Sequence, residues 1–265
     1  MTEHKSIIKI YNHTIRENNL TVIAGPCSIE SEQQINDIAS SVATAGANIL
    51  RGGAVKPRTS PHSFQGIGHH GYKMLHQAAR ANNMACIAEV IDDSSLYAAL
   101  DWIDIIQIGA RNMQNYSLLT AVGKAKKPVL LKRGFAATYK ELLAAAEYIL
   151  EAGNPHIILC ERGIRTFEPT TRNTLDIAAI PMLQQQSHLA VFVDPSHGTG
   201  LRNIVPPMSL AAVAAGANGL MLEVHSNPDK SISDAAQTIS TTTFALLMSQ
   251  IRKLLTLNDK VSVSN

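Results

Sequence analysis

Six cationic side chains stand at or just beyond the ends of short apolar runs in this 265-residue chain: Arg51, Lys56, Arg58, Arg111, Lys132 and Arg162. Any one of them alone reads as an ordinary solvated side chain. Six in the same relation to an apolar run read as a set that gathers anions, because guanidinium and ammonium groups form the usual clamp for phosphate and carboxylate. The chain as a whole is nearly neutral, with 23 Lys and Arg against 21 Asp and Glu, so the crowding is local. A second set comprises Cys27, His197 and Glu223, at or just beyond the ends of apolar runs, and Asp234, which opens the last helical stretch. One thiolate, one imidazole and two carboxylates suit a divalent transition metal (Mn, Fe(II), Co or Zn) better than Mg or Ca, which prefer oxygen-only shells. The spacing of these four is long and irregular and carries little by itself. Glu89 ends a third run, and Asp194 stands three residues before His197. Cys86 and Cys160 lie within runs and read as packed thiols, an alternative open to Cys27 as well. His225 is set aside as a ligand, because adjacent strand positions alternate faces.

The elements that must position these residues repeat along the chain. Eight short apolar runs rich in β-branched residues cover 20–25, 47–53, 85–91, 104–109, 128–134, 156–163, 189–196 and 219–224. Stretches of helical periodicity separate or follow them, at 31–45, 67–82, 94–101, 115–125, 138–152, 171–186, 207–215 and 233–256. Eight βα units in one chain of this length predict a (β/α)8 TIM barrel of the α/β class, whose catalytic residues come from the C-terminal ends of the strands. The expected organisation is one domain over 1–265, with a core from about 20 to 256 and a short extension at 1–19. SIIKIYN in that extension has the pattern of a short extra strand, and the tail NDKVSVSN reads as frayed. A GxGxxG match at Gly66, Gly68 and Gly71, with Glu89 downstream, has the spacing of a dinucleotide site. A loop with two prolines precedes it instead of a strand, so a glycine-rich start to a helix is the better reading.

Composition closes off other classes. Aromatics make up 5% of the chain, and with near-neutral charge this argues against a nucleic-acid surface. No apolar run approaches the ~20 residues needed to span a bilayer, and the N-terminus lacks the pattern of a secretory signal. Three cysteines, an odd number far apart, make no disulfide framework. A cytoplasmic protein acting on a small molecule is expected.

The motifs that carry these residues occur in a telling order: GPCS at 25–28, RGGAVKPRTSP at 51–61, IGARNMQN at 108–115, LLKRG at 130–134, CERGIR at 160–165, DPSHGTG at 194–200, then EVH and SD. Together, from about 20 to 245, they closely resemble the compact type I beta form of the 3-deoxy-D-arabino-heptulosonate 7-phosphate (DAHP) synthase family. The resemblance implies a (β/α)8 barrel, a homo-oligomer (usually a tetramer), and condensation of phosphoenolpyruvate with erythrose 4-phosphate at the start of aromatic amino-acid biosynthesis. It places the family's metal ligands on Cys27, His197, Glu223 and Asp234. Its phosphoenolpyruvate contacts fall on Arg51, Lys56, Arg111, Lys132 and Arg162, with Glu89 nearby; Asp194 joins the substrate-binding set. Its erythrose phosphate contacts fall on Lys56, Pro57, Arg58 and Thr59. Leu201 before Arg202 departs from a common Arg-Arg pair and touches only peripheral phosphate contacts. By the same resemblance the metal acts as a Lewis acid on the aldehyde, Lys56 delivers a proton to its oxygen, and Glu89 orients the attacking water.

Two rivals differ in identifiable ways. The sister enzymes that make 3-deoxy-octulosonate 8-phosphate carry an asparagine-containing KANRS-type loop where this chain has Lys56, Pro57, Arg58 and Thr59. A catalytically silent, phosphate-binding barrel would not need intact acid, base and metal residues. An aminosugar analogue of erythrose phosphate is an open alternative substrate. Regulated relatives carry an additional domain for which the 19 residues before the first barrel strand leave no room, so the isolated barrel is expected to ignore aromatic end products unless a separate chorismate mutase docks on it. Arg58→Ala should raise the KM for erythrose 4-phosphate far more than that for phosphoenolpyruvate, by about 1.5–3 kcal/mol for a lost bond to a charged group. Steady-state kinetics decide this: equal losses would show that Arg58 does not discriminate the two substrates.

Overall fold

Alternation with a period of two residues sorts every strand of this protein into an inner and an outer face. The computed structural model describes residues 5–17, 19–56, 62 and 64–258. Among these, strands β1 (Ile8–Ile10) and β2 (His13–Ile15) form an antiparallel hairpin. The next eight are parallel: β3 (Thr21–Gly25), β4 (Ile49–Arg51), β5 (Ala85–Val90), β6 (Ile105–Ile108), β7 (Val129–Lys132), β8 (Ile157–Glu161), β9 (Ala190–Val193) and β10 (Gly219–His225). Each pairs with the next, and β10 pairs with both β9 and β3, which closes the ring. A two-residue strand, β11 (Ile239–Ser240), adds to the end of β10. Helices α1 (Glu32–Ala45), α2 (His70–Ala81), α3 (Asp93–Ala99), α4 (Tyr116–Lys124) and α5 (Tyr139–Glu151) pack around the ring, joined by α6 (Ala179–Gln186), α8 (Val205–Ala214) and α9 (Thr241–Asn258). The short α7 (Pro195–Thr199) sits between β9 and α8. This is the (β/α)8 barrel expected from the repeat.

Outward positions such as Val22, Leu50, Ala88, Ile106, Leu131, Leu159, Val191 and Leu222 join the main core beneath the helices. Inward positions Ile23, Ile49, Ile87, Ile105, Leu130, Ile158, Phe192 and Met221 form a second core inside the barrel. Cys160 belongs to this inner core, and Cys86 to the outer one, so both are packed thiols. Ile8, Ile10 and Ile15 of the hairpin join the inner core as well, so the extension covers one end of the barrel with two strands where the sequence predicts a single one.

Two local expectations are corrected, and one short helix is added. The helical periodicity over 171–186 is realised only from Ala179. Upstream, Thr174 exchanges both backbone hydrogen bonds with Ile164, and Arg172 N–H donates to Thr199 O, which removes those groups from any helix. The helix expected at 233–256 begins at Thr241, because Ile239 and Ser240 pair with β10 instead. Asp234 therefore lies in a loop, seven residues ahead of α9, at φ +54°, a left-handed conformation that Asp enters more readily than most residues. The helix carrying His197 was not foreseen, since five residues are too few for a periodic signal; Asp194 caps it and Pro195 occupies its first turn.

Ile8→Ala tests the hairpin's role. Its side chain is fully buried, and truncation should cost about 2–5 kcal/mol in denaturant titration. A loss well under ~1 kcal/mol would show that the hairpin is dispensable cover.

Candidate active site

Continuing the inward faces by one step along each strand brings the chemistry into view. Above the apolar inner core stand Gly25, Arg51, Glu89, Gln107, Lys132, Arg162, Asp194 and Glu223, each two residues beyond an inward apolar residue, or beyond Cys160 in the case of Arg162. Every barrel strand supplies one residue to this layer. Gly25 is required there: at φ +152°, a Cβ would collide with the Arg51 carbonyl oxygen.

Cys27, Glu223 and Asp234 place one donor atom each within 4.8 Å of one another. Cys27 Sγ lies 3.3 Å from Asp234 Oδ2, and His197 Nε2 is 3.4 Å from Glu223 Oε1 and 3.7 Å from Asp234 Oδ2. The four residues singled out in the sequence thus meet. Burial lowers the His197 pKa against the pull of Asp194 and Glu223, which favours the neutral ring. Its Nδ1 is 2.7 Å from Asp194 Oδ2, a carboxylate that can only accept, so the proton sits on Nδ1 and the Nε2 lone pair faces the two carboxylates. Acceptors converging in this way, together with a thiol, fit a divalent transition metal. Burial, then Glu223, push the Cys27 thiol up to about 12, so loading such an ion would release its proton. For Asp234, burial is outweighed by His197, Arg172 and Lys56, and its carboxyl is lowered to about 2.

The cations interlock with these donors. Lys56 Nζ lies 3.0 Å from Cys27 Sγ and donates to Cys27 O at 3.0 Å. Burial would lower its pKa, but Cys27, Glu223 and Glu89 together hold it above the ordinary lysine value. Arg51 Nη2 donates to Glu223 Oε1 at 3.1 Å, and Gln237 Nε2 donates to Glu223 Oε2 at 2.6 Å. Lys132 pairs with Asp194. Arg51 and Arg162 are 5% and 3% exposed, yet among the described residues the Nη1 of each has no hydrogen-bond partner. Buried guanidinium donors left open are costly unless an anion takes them. Arg111 stands on the turn after β6, exposed, with its guanidinium beside the Phe135 ring. Cys27, Arg51, Lys56, Glu89 and Gln107 line one pocket.

Asp194, expected in the substrate-binding set, has three partners within the protein. Its oxygens are engaged by Lys132, the His197 ring and the His197 backbone N–H, so it holds other residues in place. Pro57, Arg58 and Thr59 lie outside the described residues. His225 shares the inward face with Glu223, so alternation does not separate the two; what sets it apart is position. Its Nδ1 accepts from Asn227 N–H, and its Nε2 lies 3.7 Å from Glu30. Sequence reading missed Gln107, whose Nε2 is 3.4 Å from Glu89 Oε2, although the two-residue step from Ile105 marks it. It also missed Gln237 and Arg172, which share a 2.9 Å hydrogen bond; neither stands near a strand end, and no local signal marks them.

Fold and site together define a (β/α)8 barrel with buried cations at its mouth beside a group of residues that could hold a metal ion. The comparison with known sequences is specific: the model of the DAHP synthetase I family matches residues 8–257, and the chain belongs to that family. It is 48% identical over 249 residues to phospho-2-dehydro-3-deoxyheptonate aldolase of Thermotoga maritima, covering 94% of this chain and 74% of the other. The crystal structure of that Thermotoga enzyme superposes with a TM-score of 0.94 at 46% identity, covering 97% of this chain and 75% of that one. A truncated form of the Thermotoga synthase gives 0.91 at 43% identity, with 97% and 94% covered. The 2-dehydro-3-deoxyphosphooctonate aldolase of Desulfosudis oleivorans is 32% identical over 255 residues, 89% of this chain and 88% of the other.

The Asp194 carboxyl is held well below the usual carboxylate range: burial would raise it, but His197 and Lys132 outweigh burial. A depressed carboxylate stabilises the fold above the unfolded pKa of ~3.9 and loses that contribution as pH falls toward the folded value. Asp194→Asn in metal-free protein should therefore cost about 3–5 kcal/mol at neutral pH, because Lys132 is left buried and unpaired. The difference should shrink below about pH 4. Denaturant titrations across that range check it; a gap independent of pH would show that the carboxylate charge is irrelevant.

Proposed function

We propose that this protein condenses phosphoenolpyruvate with erythrose 4-phosphate and water, giving 3-deoxy-D-arabino-heptulosonate 7-phosphate and phosphate. The observation that carries the reading is the shared mouth: a buried cation clamp interlocked with a thiol, imidazole and carboxylate set, Lys56 touching both. The 48% identity to the Thermotoga synthase supports it over the octulosonate alternative, at 32%.

Arg51, Lys56, Arg111, Lys132 and Arg162 bind and orient phosphoenolpyruvate through its phosphate and carboxylate, so that its methylene carbon faces the aldehyde. Lys56, with Pro57, Arg58 and Thr59 on the family resemblance, receives the aldose phosphate. A divalent transition metal held by Cys27, His197, Glu223 and Asp234 would supply Lewis-acid polarisation of the aldehyde. The new bond joins the methylene and aldehyde carbons, and Lys56, protonated and within reach of the donor set, gives the aldehyde oxygen its proton. Glu89, held by Gln107, orients the water that adds to the former enol carbon and accepts its proton. The resulting hemiketal expels phosphate to leave the ketone. Asp194 keeps the Nδ1 proton on His197 and steadies Lys132. A homotetramer in the cytoplasm, with a separate chorismate mutase as a possible regulatory partner, completes this reading on family grounds. Among the described residues no helix is long and apolar enough to cross a membrane.

Phosphate release from phosphoenolpyruvate with a panel of aldose phosphates tests the proposal. Turnover should be highest with erythrose 4-phosphate; a preference for arabinose 5-phosphate would move the protein to the octulosonate reaction. Chelation should abolish turnover and Mn(II) restore it, and Cys27→Ala should stay folded while its metal content falls. Full activity in metal-free protein would overturn the metal assignment.

A further inference from the structure

The four proposed metal donors come from four separate places: Cys27 just after β3, His197 in α7, Glu223 in β10 and Asp234 in the loop before β11. Their placement relative to one another depends on contacts between elements, and one short segment makes several of these. Arg172 and Asn173 lie in the loop between β8 and α6, where Arg172 N–H donates to Thr199 O at 2.9 Å and Thr174 exchanges two backbone bonds with Ile164. Asn173 Nδ2 donates to the carbonyl of His197 at 2.9 Å. Arg172 Nη1 lies 3.4 Å from Asp234 Oδ1 and donates to Gln237 Oε1 at 2.9 Å. Gln237, 2% exposed, donates in turn from Nε2 to Glu223 Oε2 at 2.6 Å.

Chemistry fixes the direction of this relay. A guanidinium only donates and a carboxylate only accepts, so an amide between them has one workable orientation, oxygen toward Arg172 and nitrogen toward Glu223. The two oxygens of Glu223 therefore have different neighbours. Oε1 receives Arg51 and lies 3.4 Å from His197 Nε2, whereas Oε2 is held by Gln237. Holding Oε2 sets the rotation of the carboxylate and keeps Oε1 turned toward the other donors. The amide does this without a charge of its own; a lysine or arginine in its place would repel a dication at close range.

We propose that Gln237 and Arg172 are positioning residues for the metal donor set: Arg172 orients the Gln237 amide, and the amide fixes the rotation of Glu223. This rests on the metal assignment made above. Two roles for Arg172 differ in sign. As a mere charge beside Asp234 it opposes an arriving dication, and its removal would tighten metal binding. As the group that orients Gln237, its removal loosens binding.

The test uses Co(II) alone as the probe, added to metal-free protein and titrated in competition with a chelator. A Co(II)–thiolate contact gives a charge-transfer absorption band, and the d–d bands report the geometry of the remaining donors. Gln237→Met keeps the length of the side chain and removes the amide, and it should weaken Co(II) binding about tenfold or more. Arg172→Met replaces a side chain that is 40% exposed, so the fold should tolerate it, and it should weaken binding about threefold. The thiolate band should persist in both variants while the d–d bands shift. In a Gln237→Met background, Arg172→Met should no longer weaken binding, because the amide through which it acts is gone. Unchanged affinity in Gln237→Met, unchanged or tighter affinity in Arg172→Met, d–d bands identical to those of the wild type, or equal weakening by Arg172→Met with and without Gln237 would each overturn the proposal. If the wild type gives no thiolate band with Co(II), or Cys27→Ala gives the same band, the metal assignment fails and the proposal falls with it. A wild-type band that Cys27→Ala abolishes, with the affinity of Gln237→Met unchanged, defeats the proposal alone.

Discussion

In a closed barrel, neighbouring strands lie less than ~5 Å apart, and side chains at alternate positions have only the interior to enter. At the C-terminal rim of this barrel the layer above the inner core contains Arg51, Lys132 and Arg162 together with Glu89, Asp194 and Glu223. Burying any of these without a partner is costly, so the buried ones are held by an opposite charge or keep an open donor, and the half-buried Glu89 takes a hydrogen bond from Gln107. Arg51 pairs with Glu223 and Lys132 with Asp194, while among the described residues the Nη1 of both Arg51 and Arg162 stays open.

That pairing joins two sites that would otherwise be separate. Glu223 belongs to the proposed metal donor set and balances Arg51 of the proposed clamp; Asp194 orients His197 and balances Lys132. Lys56 closes the link from the other side by its contact with Cys27. Arrival of a dication or an anion at this mouth would therefore redistribute charge over both sets. A single substitution in the layer should disturb affinity for metal and substrate together, a coupling that proximity alone would not produce.

Much of this was legible in the sequence, for a physical reason. Strands bury both faces in a barrel, so they appear as continuous apolar runs, and a polar residue ending such a run has few places to go except the mouth. Arg51, Glu89, Lys132, Arg162 and Glu223 follow from that alone. Residues delivered by irregular backbone were not legible in the same way. Asp234 reaches the site from a left-handed turn, His197 from a five-residue helix, and Gln237 and Arg172 through loops held by long-range hydrogen bonds. His197 is picked out just beyond the seventh run and Asp234 at the start of the last helical stretch, and the resemblance to a family agrees with both, yet neither route points to Gln107, which the two-residue step from Ile105 marks plainly. The false helix at 171–178 has the same origin: its periodicity is real, but Ile164 and Thr199 claim its backbone groups.

The claim that metal donors and anion clamp form one charge-balanced mouth is tested most directly by a crystal structure with Mn(II) and phosphoenolpyruvate, using anomalous scattering to place the metal. The account predicts an anomalous peak bounded by Cys27 Sγ, His197 Nε2, Glu223 and Asp234, with phosphoenolpyruvate on Lys132 and Arg162 and the open Nη1 groups of Arg51 and Arg162 turned to it. A metal bound away from those four residues, or phosphoenolpyruvate seated apart from the buried cations, would contradict it.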